Sequence, residues 1–312
     1  MVAGEITQQR WKGHVAMLFA TMFWGAMSPV AKGILENGIV EGIALSAIRI
    51  GGGALLFLTA AFLPRKWTGD TSVDKKDLWT LFIASVLMIS LNQGLFIIGI
   101  GYTSPIDTSV MCTLTPVFTL ILAALFINMP MTPIKIIGVI LGLGGALIMA
   151  VTDTGSEIAS NPLLGDTLCM LAQICAALYY VFFLRIIDRY PPFTIMKWMF
   201  LFSALSYIPA TLPWLSDVAW SSIDLPSWWS LAYIILFPTF IAYLIIPFSQ
   251  KLLKPTVISM YAYFQPVFAA LIAAIMGLAA FGWIKIGATL LIFTGVFLVS
   301  LATARQPKKQ ET

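Results

Sequence analysis

Charge is what this sequence has least of: 10% of its 312 residues are Asp, Glu, Lys or Arg, against roughly 25% in an ordinary soluble domain. Too few charged groups are present to cover a water-solvated globule, while 59% of the residues are hydrophobic, so the main solvent must be lipid. Histidine is scarcer still, with His14 the only one. Cys112, Cys169 and Cys175 lie inside apolar runs without C-x-x-C spacing, which argues against a disulfide framework or a zinc site and makes them packing residues. A nucleophile with a histidine base, or paired aspartates at membrane depth, is also missing, and with them the means for an intramembrane acyltransferase or protease. The expectation is therefore no catalytic residue, no metal and no cofactor. The net charge of +4 does not imply a nucleic-acid partner, because the basic residues fall between apolar runs, where membrane topology accounts for them.

Long apolar runs are what the chain has in abundance. Crossing roughly 30 Å of hydrocarbon at about 1.5 Å per residue takes about 20 residues, and stretches of that order recur at 14–36, 42–63, 78–100, 106–128, 133–152, 163–187, 193–214, 227–249, 256–277 and 283–303. Short connections rich in Pro, Gly, Asp and Asn separate them, as at Gly101-Tyr102-Thr103-Ser104-Pro105 and Asn161-Pro162. The first run follows Arg10 and Lys12 as a signal peptide would. It continues through Trp24 and Pro29 to about Leu35 without a small-residue cleavage site and is expected to be a retained helix.

The cations orient these runs, since cytoplasmic loops accumulate Lys and Arg. With the N-terminus inside and ten spans, fifteen of the 18 fall on the cytoplasmic side and only Lys32, Arg49 and Lys285 on the other. The opposite loops carry Asp153, Glu157 and Asp166, and Asp217 and Asp224. A miscounted helix would invert every later assignment and destroy the asymmetry.

A shift of 150 residues superimposes the chain on itself without gaps. Pro105 falls on Pro255, Ser109 on Ser259, Pro116-Val117-Phe118 on Pro266-Val267-Phe268, Ile134-Lys135-Ile136 on Ile284-Lys285-Ile286, Gly145 on Gly295, and Trp79 on Trp229. Five spans per half is an odd number, so the halves must lie in the membrane with opposite orientations, the construction of many secondary transporters. The expected architecture is an all-α integral membrane protein with ten transmembrane helices as two inverted five-helix repeats. Its parts are a cytoplasmic tail (1–13), a first repeat (14–152), a non-cytoplasmic linker (153–162), a second repeat (163–303) and a cytoplasmic tail (304–312). A plasma membrane is the expected location, the inner membrane in a bacterium, with a small-molecule solute and the lipid bilayer as partners. These features leave oligomeric state open.

The run Phe23-Trp24-Gly25-Ala26-Met27-Ser28-Pro29-Val30-Ala31-Lys32, the run Arg49-Ile50-Gly51-Gly52-Gly53-Ala54-Leu55-Leu56, and the paired Thr115-Pro116-Val117-Phe118 and Gln265-Pro266-Val267-Phe268 resemble the EamA-type members of the drug/metabolite transporter superfamily. The resemblance covers essentially the whole chain. It implies a cavity lined chiefly by spans 1, 3, 4, 6, 8 and 9, and a role in exporting or exchanging metabolites such as amino acids, although members differ widely in cargo.

Polar groups at membrane depth are costly unless they face a partner or a wet cavity, so each is a candidate. Asn92 and Gln93 near the middle of span 3 either hydrogen-bond between helices or line the cavity. Tyr261, Tyr263 and Gln265 precede Pro266 in span 9, and Cys112, Thr113 and Thr115 precede Pro116 in span 4. A proline there frees a carbonyl one turn earlier and bends the helix, so Pro116 and Pro266 are either packing kinks or a shared mechanical device, the second favoured by their matched positions. Trp24 and Ser28 share a face of span 1, and the family resemblance favours Trp24 as cavity wall over lipid-facing bulk. Gln173, Tyr179 and Tyr180 in span 6 and Tyr243 in span 8 add amides and aromatic surface suited to amphipathic solutes. Arg49 is expected to form a structural ion pair with Glu36 or Glu41, the alternatives being snorkelling, as for Lys32, or holding a substrate carboxylate.

Spans 4 and 9 carry no mid-depth cation, which disfavours phosphorylated cargo. The one acid near the pore is Asp107, and His14 stands near the end of its helix, so a proton relay is poorly supplied and an exporter, exchanger or facilitator of small neutral or zwitterionic metabolites such as amino acids fits best. A multidrug exporter of cationic amphiphiles is the alternative within transport. It would want a buried glutamate facing the cavity, and Glu36 lies only near the outer end of span 1. A channel or structural protein has less need of an inverted repeat.

Overall fold

A backbone in hydrocarbon must satisfy its own hydrogen bonds, and a run without charge does so as a helix. The computed structural model follows that rule: it describes residues 2–36, 38–103, 108, 111–151, 160–275 and 282–304, and among them there is helix and no strand. The principal helices are α1 (Val2–Glu36), α2 (Gly42–Ala60), α3 (Lys75–Tyr102), α4 (Thr115–Phe126), α5 (Pro133–Val151), α6 (Pro162–Phe182), α7 (Pro192–Ser216), α8 (Leu225–Gln250), α9 (Phe264–Ile275) and α10 (Trp283–Ala304). Among the described residues, seven helices are long and apolar enough to cross a membrane, at Arg10–Leu35, Gly42–Ala60, Lys75–Tyr102, Pro162–Phe182, Pro192–Ser216, Leu225–Gln250 and Ile286–Ala304. α4 and α5 are apolar but offer shorter continuous stretches, and α9 follows a break. The outward surfaces of the bundle are apolar too: Leu125 of α4 is 69% exposed, Leu205 of α7 65% and Phe297 of α10 64%, which suits lipid and would be costly in water.

Two helices change pitch midway. α3 contains a π-helical turn at Val86–Leu91 and α8 contains one at Leu236–Ile241, 150 residues further on. The flanking helical segments match in the same way, Lys75–Ser85 with Leu225–Ile235, and α2 and α7 begin 150 residues apart. Helices at matched positions also pack on each other head to tail. Ser46 near the start of α2 meets Tyr207 in the second half of α7, with 2.8 Å between their hydroxyls, while Phe57 near the end of α2 stacks on Phe200 at 4.9 Å. In α5 and α10, Gly138 lies against Gly295 and Val299, and Gly145 against Ala288 and Ile292.

The buried apolar side chains fall into two clusters. One holds Met17, Ile50, Ala54, Phe57, Leu81, Met88, Ala176, Tyr180, Phe200, Tyr243 and Ile246, the other Met27, Ala31, Leu45, Phe96, Ile97, Cys112, Cys169, Ala172, Leu231 and Ile234. α1 and α3 run from the first cluster into the second, whereas α2, α6 and α8 run from the second into the first. Between the clusters each helix contributes polar groups: Trp24, which touches both clusters, on α1, Arg49 on α2, Asn92 and Gln93 on α3, Gln173 on α6, and Thr239 on α8. The apolar layers thus sandwich a polar layer at mid-helix.

Candidate functional site

The polar layer surrounds a cavity of about 60 Å³, several times the minimum that admits one water. Of the sequence-selected residues, Trp24, Asn92, Gln93, Thr115, Gln173, Tyr180, Tyr243 and Gln265 line it. They come from α1, α3, α4, α6, α8 and α9, the set the family resemblance implies, with Arg49 of α2 in addition.

The π turns explain how the wall is built. Inserting a residue into a helix loosens the regular bonding and leaves carbonyls free to accept other partners. Trp24 Nε1 donates to the Pro238 carbonyl at 2.9 Å, and the Tyr243 hydroxyl donates to the Met88 carbonyl at 3.3 Å, with Asn92 Oδ1 at 3.4 Å as a second acceptor. Met88 and Pro238 are matched positions of the two π turns. The Trp24 and Tyr243 rings meet edge to face with centroids 6.2 Å apart. Asn92 Nδ2 donates in turn to the Ala172 carbonyl of α6 at 2.8 Å, tying α3 to α6 across the cavity.

Opposite them, the Thr115 hydroxyl lies 2.8 Å from Gln173 Oε1 and 2.9 Å from the Cys112 carbonyl, and Gln173 Nε2 faces Cys112 Sγ at 3.8 Å. Pro116 and Pro266 each stand just after a change of helical pitch. Pro116 stands in the first turn of α4, directly after a turn at residues 113 and 114. Pro266 stands in the first turn of α9, after the 3₁₀ turn Tyr261–Tyr263 that ends the short helix Pro255–Met260. Each proline thus falls in the first turn of the α-helix that follows, the place where its missing N–H costs least. Thr115 and Gln265 therefore sit where a helix restarts beside the cavity. α1 approaches that restart closely, and a Cβ on Gly25 would stand 2.8 Å from the Gln265 carbonyl oxygen.

Tyr261 does not line the cavity. Its hydroxyl pairs with His14 Nδ1 at 2.6 Å, so the histidine near the start of α1 is tied to the broken segment before α9. Tyr179 and Tyr263 are fully buried, and Tyr263 donates to the Val139 carbonyl at 3.2 Å. The side chains of Ser28, Glu36 and Lys285 and all of Asp107 lie outside the described residues.

Arg49 corrects the expectation of an ion pair with Glu41. It is 2% exposed, lines the cavity, and donates through Nε to Thr239 Oγ1 of the α8 π turn at 2.9 Å. Glu41 stands just over two helical turns before it, exposed at the start of α2, too far along the helix to reach. Sequence reasoning also passed over Met17, Met27, Met88, Phe96, Ala176, Ile258, Ser259 and Ala262, which complete the wall together with Cys112, a packing residue by sequence. Apolar residues occur everywhere in this chain, so nothing marked these. Ser259 carried a signal only as the repeat match of Ser109.

A bundle of apolar helices around a polar mid-depth cavity has the form of a solute transporter. The comparisons agree. The family model for the EamA-like transporter family matches residues 11–151 and again 163–301, and the chain belongs to that family. The uncharacterized transporter YyaM of Bacillus subtilis is 25% identical over 75% of this chain and 76% of its own length. YetK of the same organism, also named an uncharacterized transporter, is 21% identical over 97% of this chain and 91% of its own, and an uncharacterized transporter of Archaeoglobus fulgidus is 25% identical over 75% of this chain and 78% of its own. A solved crystal structure has the same fold, with a TM-score of 0.72 at 18% identity over 95% of this chain and 100% of that one.

Proposed function

We propose that this membrane transporter moves small neutral or zwitterionic metabolites such as amino acids by alternating access, as an exporter, exchanger or facilitator in the plasma membrane. In this reading ten spans form two five-helix units of inverted sense, with both termini cytoplasmic. The observation that carries it is the polar layer: matched π turns of the two halves meet at one cavity between two apolar clusters, where a solute could be handed from one side to the other. Three features support the inversion. α1 and α6, matched by the 150-residue shift, run in opposite directions between the clusters, as do α3 and α8; matched helices α2 and α7, and α5 and α10, pack antiparallel; and the family model matches once in each half. The amides of Asn92, Gln93, Gln173 and Gln265 with the rings of Trp24, Tyr180 and Tyr243 supply hydrogen bonds and aromatic surface, and no acidic side chain lines the described cavity to favour a cation.

The test is uptake of a panel of radiolabelled amino acids into proteoliposomes, with and without a proton gradient. At least one member should enter above empty vesicles, and Asn92→Ala and Gln265→Ala should each reduce that uptake while expression stays near normal. If no member enters, the amino-acid reading is lost. Loss of folded protein in both variants would make the two amides structural.

A further inference from the structure

Arg49 has more donors than the fold uses. A guanidinium carries five N–H groups in a planar fork, and among the described residues its hydrogen bond is the one from Nε to Thr239, itself 0% exposed. No described carboxylate forms an ion pair with it, and none lines the cavity. A cation held at this depth without a counter-charge is unfavourable, and such residues mark substrate or ion paths. A second, independent group points the same way. Gln93 is 1% exposed and lines the cavity, and neither of its amide atoms has a hydrogen-bond partner. The Tyr243 hydroxyl is near both Arg49 and Gln93 but is spent on the Met88 carbonyl at 3.3 Å.

We infer that Arg49 is the carboxylate-binding residue of the cavity, taking one carboxylate group of the solute on its terminal nitrogens while Thr239 fixes its orientation through Nε. This rests on the transport reading above and narrows it to monocarboxylates with an apolar or aromatic body, zwitterionic amino acids included. A single buried cation balances a single negative charge, so dicarboxylates and phosphates leave one charge uncompensated. The body of the solute lies against Trp24, Phe96, Tyr180 and Tyr243, and Gln93 supplies an amide to a polar group beside the carboxylate, such as an α-ammonium.

Acid and amide pairs of equal shape test this: L-leucine and L-leucinamide, L-phenylalanine and L-phenylalaninamide, phenylacetate and phenylacetamide. Binding is measured by isothermal titration to the purified full chain and transport by competition for uptake into proteoliposomes. Wild type should bind the acid of a pair about 10–100-fold more tightly than the amide, the scale of a hydrogen bond to a charged group. Arg49→Gln should abolish the acid preference, with phenylacetate falling to the level of neutral phenylacetamide. Arg49→Lys should fall between wild type and Arg49→Gln, keeping the charge but not the fork. If Arg49→Gln does not fold, Thr239→Val and the wild-type pairs decide, because Thr239→Val frees the guanidinium to reorient and should narrow the acid preference. Equal binding of acid and amide by wild type, or an undiminished acid preference in Arg49→Gln or Thr239→Val, overturns the assignment and leaves the transport reading standing. A wild type that binds and moves no member of any pair overturns both.

Discussion

Replacing Gly295 with alanine probes the seam on which the two halves pack. α5 and α10 approach until their backbones touch: a Cβ on Gly295 would stand 2.5 Å from the Gly138 carbonyl oxygen and 2.7 Å from the Gly142 nitrogen. Those obstacles are backbone atoms, which cannot swing aside as a side-chain tip would. The helices must separate, and close packing lost along a seam of small residues is the main force lost when membrane helices part. Overpacking of this kind costs about 1–3 kcal/mol, while alanine in a helix recovers roughly 0.5–1 kcal/mol over glycine, so Gly295→Ala should be net destabilising by about 1–2 kcal/mol. Gly144 supplies the control. It lies in the same pair of helices, but an added Cβ meets nothing within 4 Å, so Gly144→Ala should be neutral or stabilising by up to about 0.5–1 kcal/mol. Unfolding both variants and wild type by heat or sodium dodecyl sulfate in the same detergent makes the comparison. Equal stability of Gly295→Ala and wild type, or equal loss in both variants, would refute the close approach.

Two further perturbations address other parts of the molecule. At one end of the bundle the segment between α2 and α3 is tied to the start of α7: Lys197 pairs with Asp70, Thr194 donates to Asp70 at 2.8 Å, and Arg189 reaches Asp74 and Asp77. The Lys197 and Asp70 side chains are 16% and 15% exposed, between the surface and buried limits, so Asp70→Asn should lower stability by about 1–2 kcal/mol. Asp74→Asn, at a pair with both partners more than half exposed, should cost under about 0.5 kcal/mol; the opposite order in thermal unfolding would sink this reading. In the polar layer, Trp24→Phe and Tyr243→Phe each strip a donor from a π-turn carbonyl. Each should cost about 0.5–1.5 kcal/mol and reduce uptake by proteoliposomes; unchanged uptake in both would remove the two rings from the solute's path.

The helices were legible because the signal is long and redundant: a charge-free run of about 20 residues has few alternatives in lipid. Much of the wall was legible for a related reason. Asn92, Gln93, Thr115 and Gln173 are conspicuous in an apolar chain, and the cost of burying them predicts a partner or a cavity. The same rule misplaced Tyr261, since it demands a partner without saying which, and the partner is His14, 247 residues away. The π turns were not legible. Pro238 marks one of them, but its counterpart at Met88 has no proline, so the second turn arises from packing that no local signal reveals. Pro116 and Pro266 were read as bends because proline in a helical run interrupts it; whether the interruption is a bend or a restart depends on the residues before it.

Arg49 was misread through sequence distance. Glutamates stand at the end of α1 and just before the start of α2, and an arginine a third of the way into a span was assigned to them, although side chains on α2 repeat every 3.6 residues and Glu41 lies just over two turns off. The repeat held a better clue. Shifting by 150 residues places Arg49 on Met199, which is fully buried in the apolar cluster, and Thr239 on Ile89, also fully buried there. The hydrogen-bonded Arg49 and Thr239 therefore have an apolar pair as their image. Where two halves share helix boundaries, π turns and packing partners, the shared features serve what both must do, which is to hold the bundle and, in the proposed mechanism, rearrange around the cavity. A polar pair present on one side alone is not required for that, because Met199 and Ile89 fill the same space without it. Its cost at this depth must be offset by something the mechanics do not need, and a ligand charge is the partner that a lone guanidinium facing a cavity accepts best.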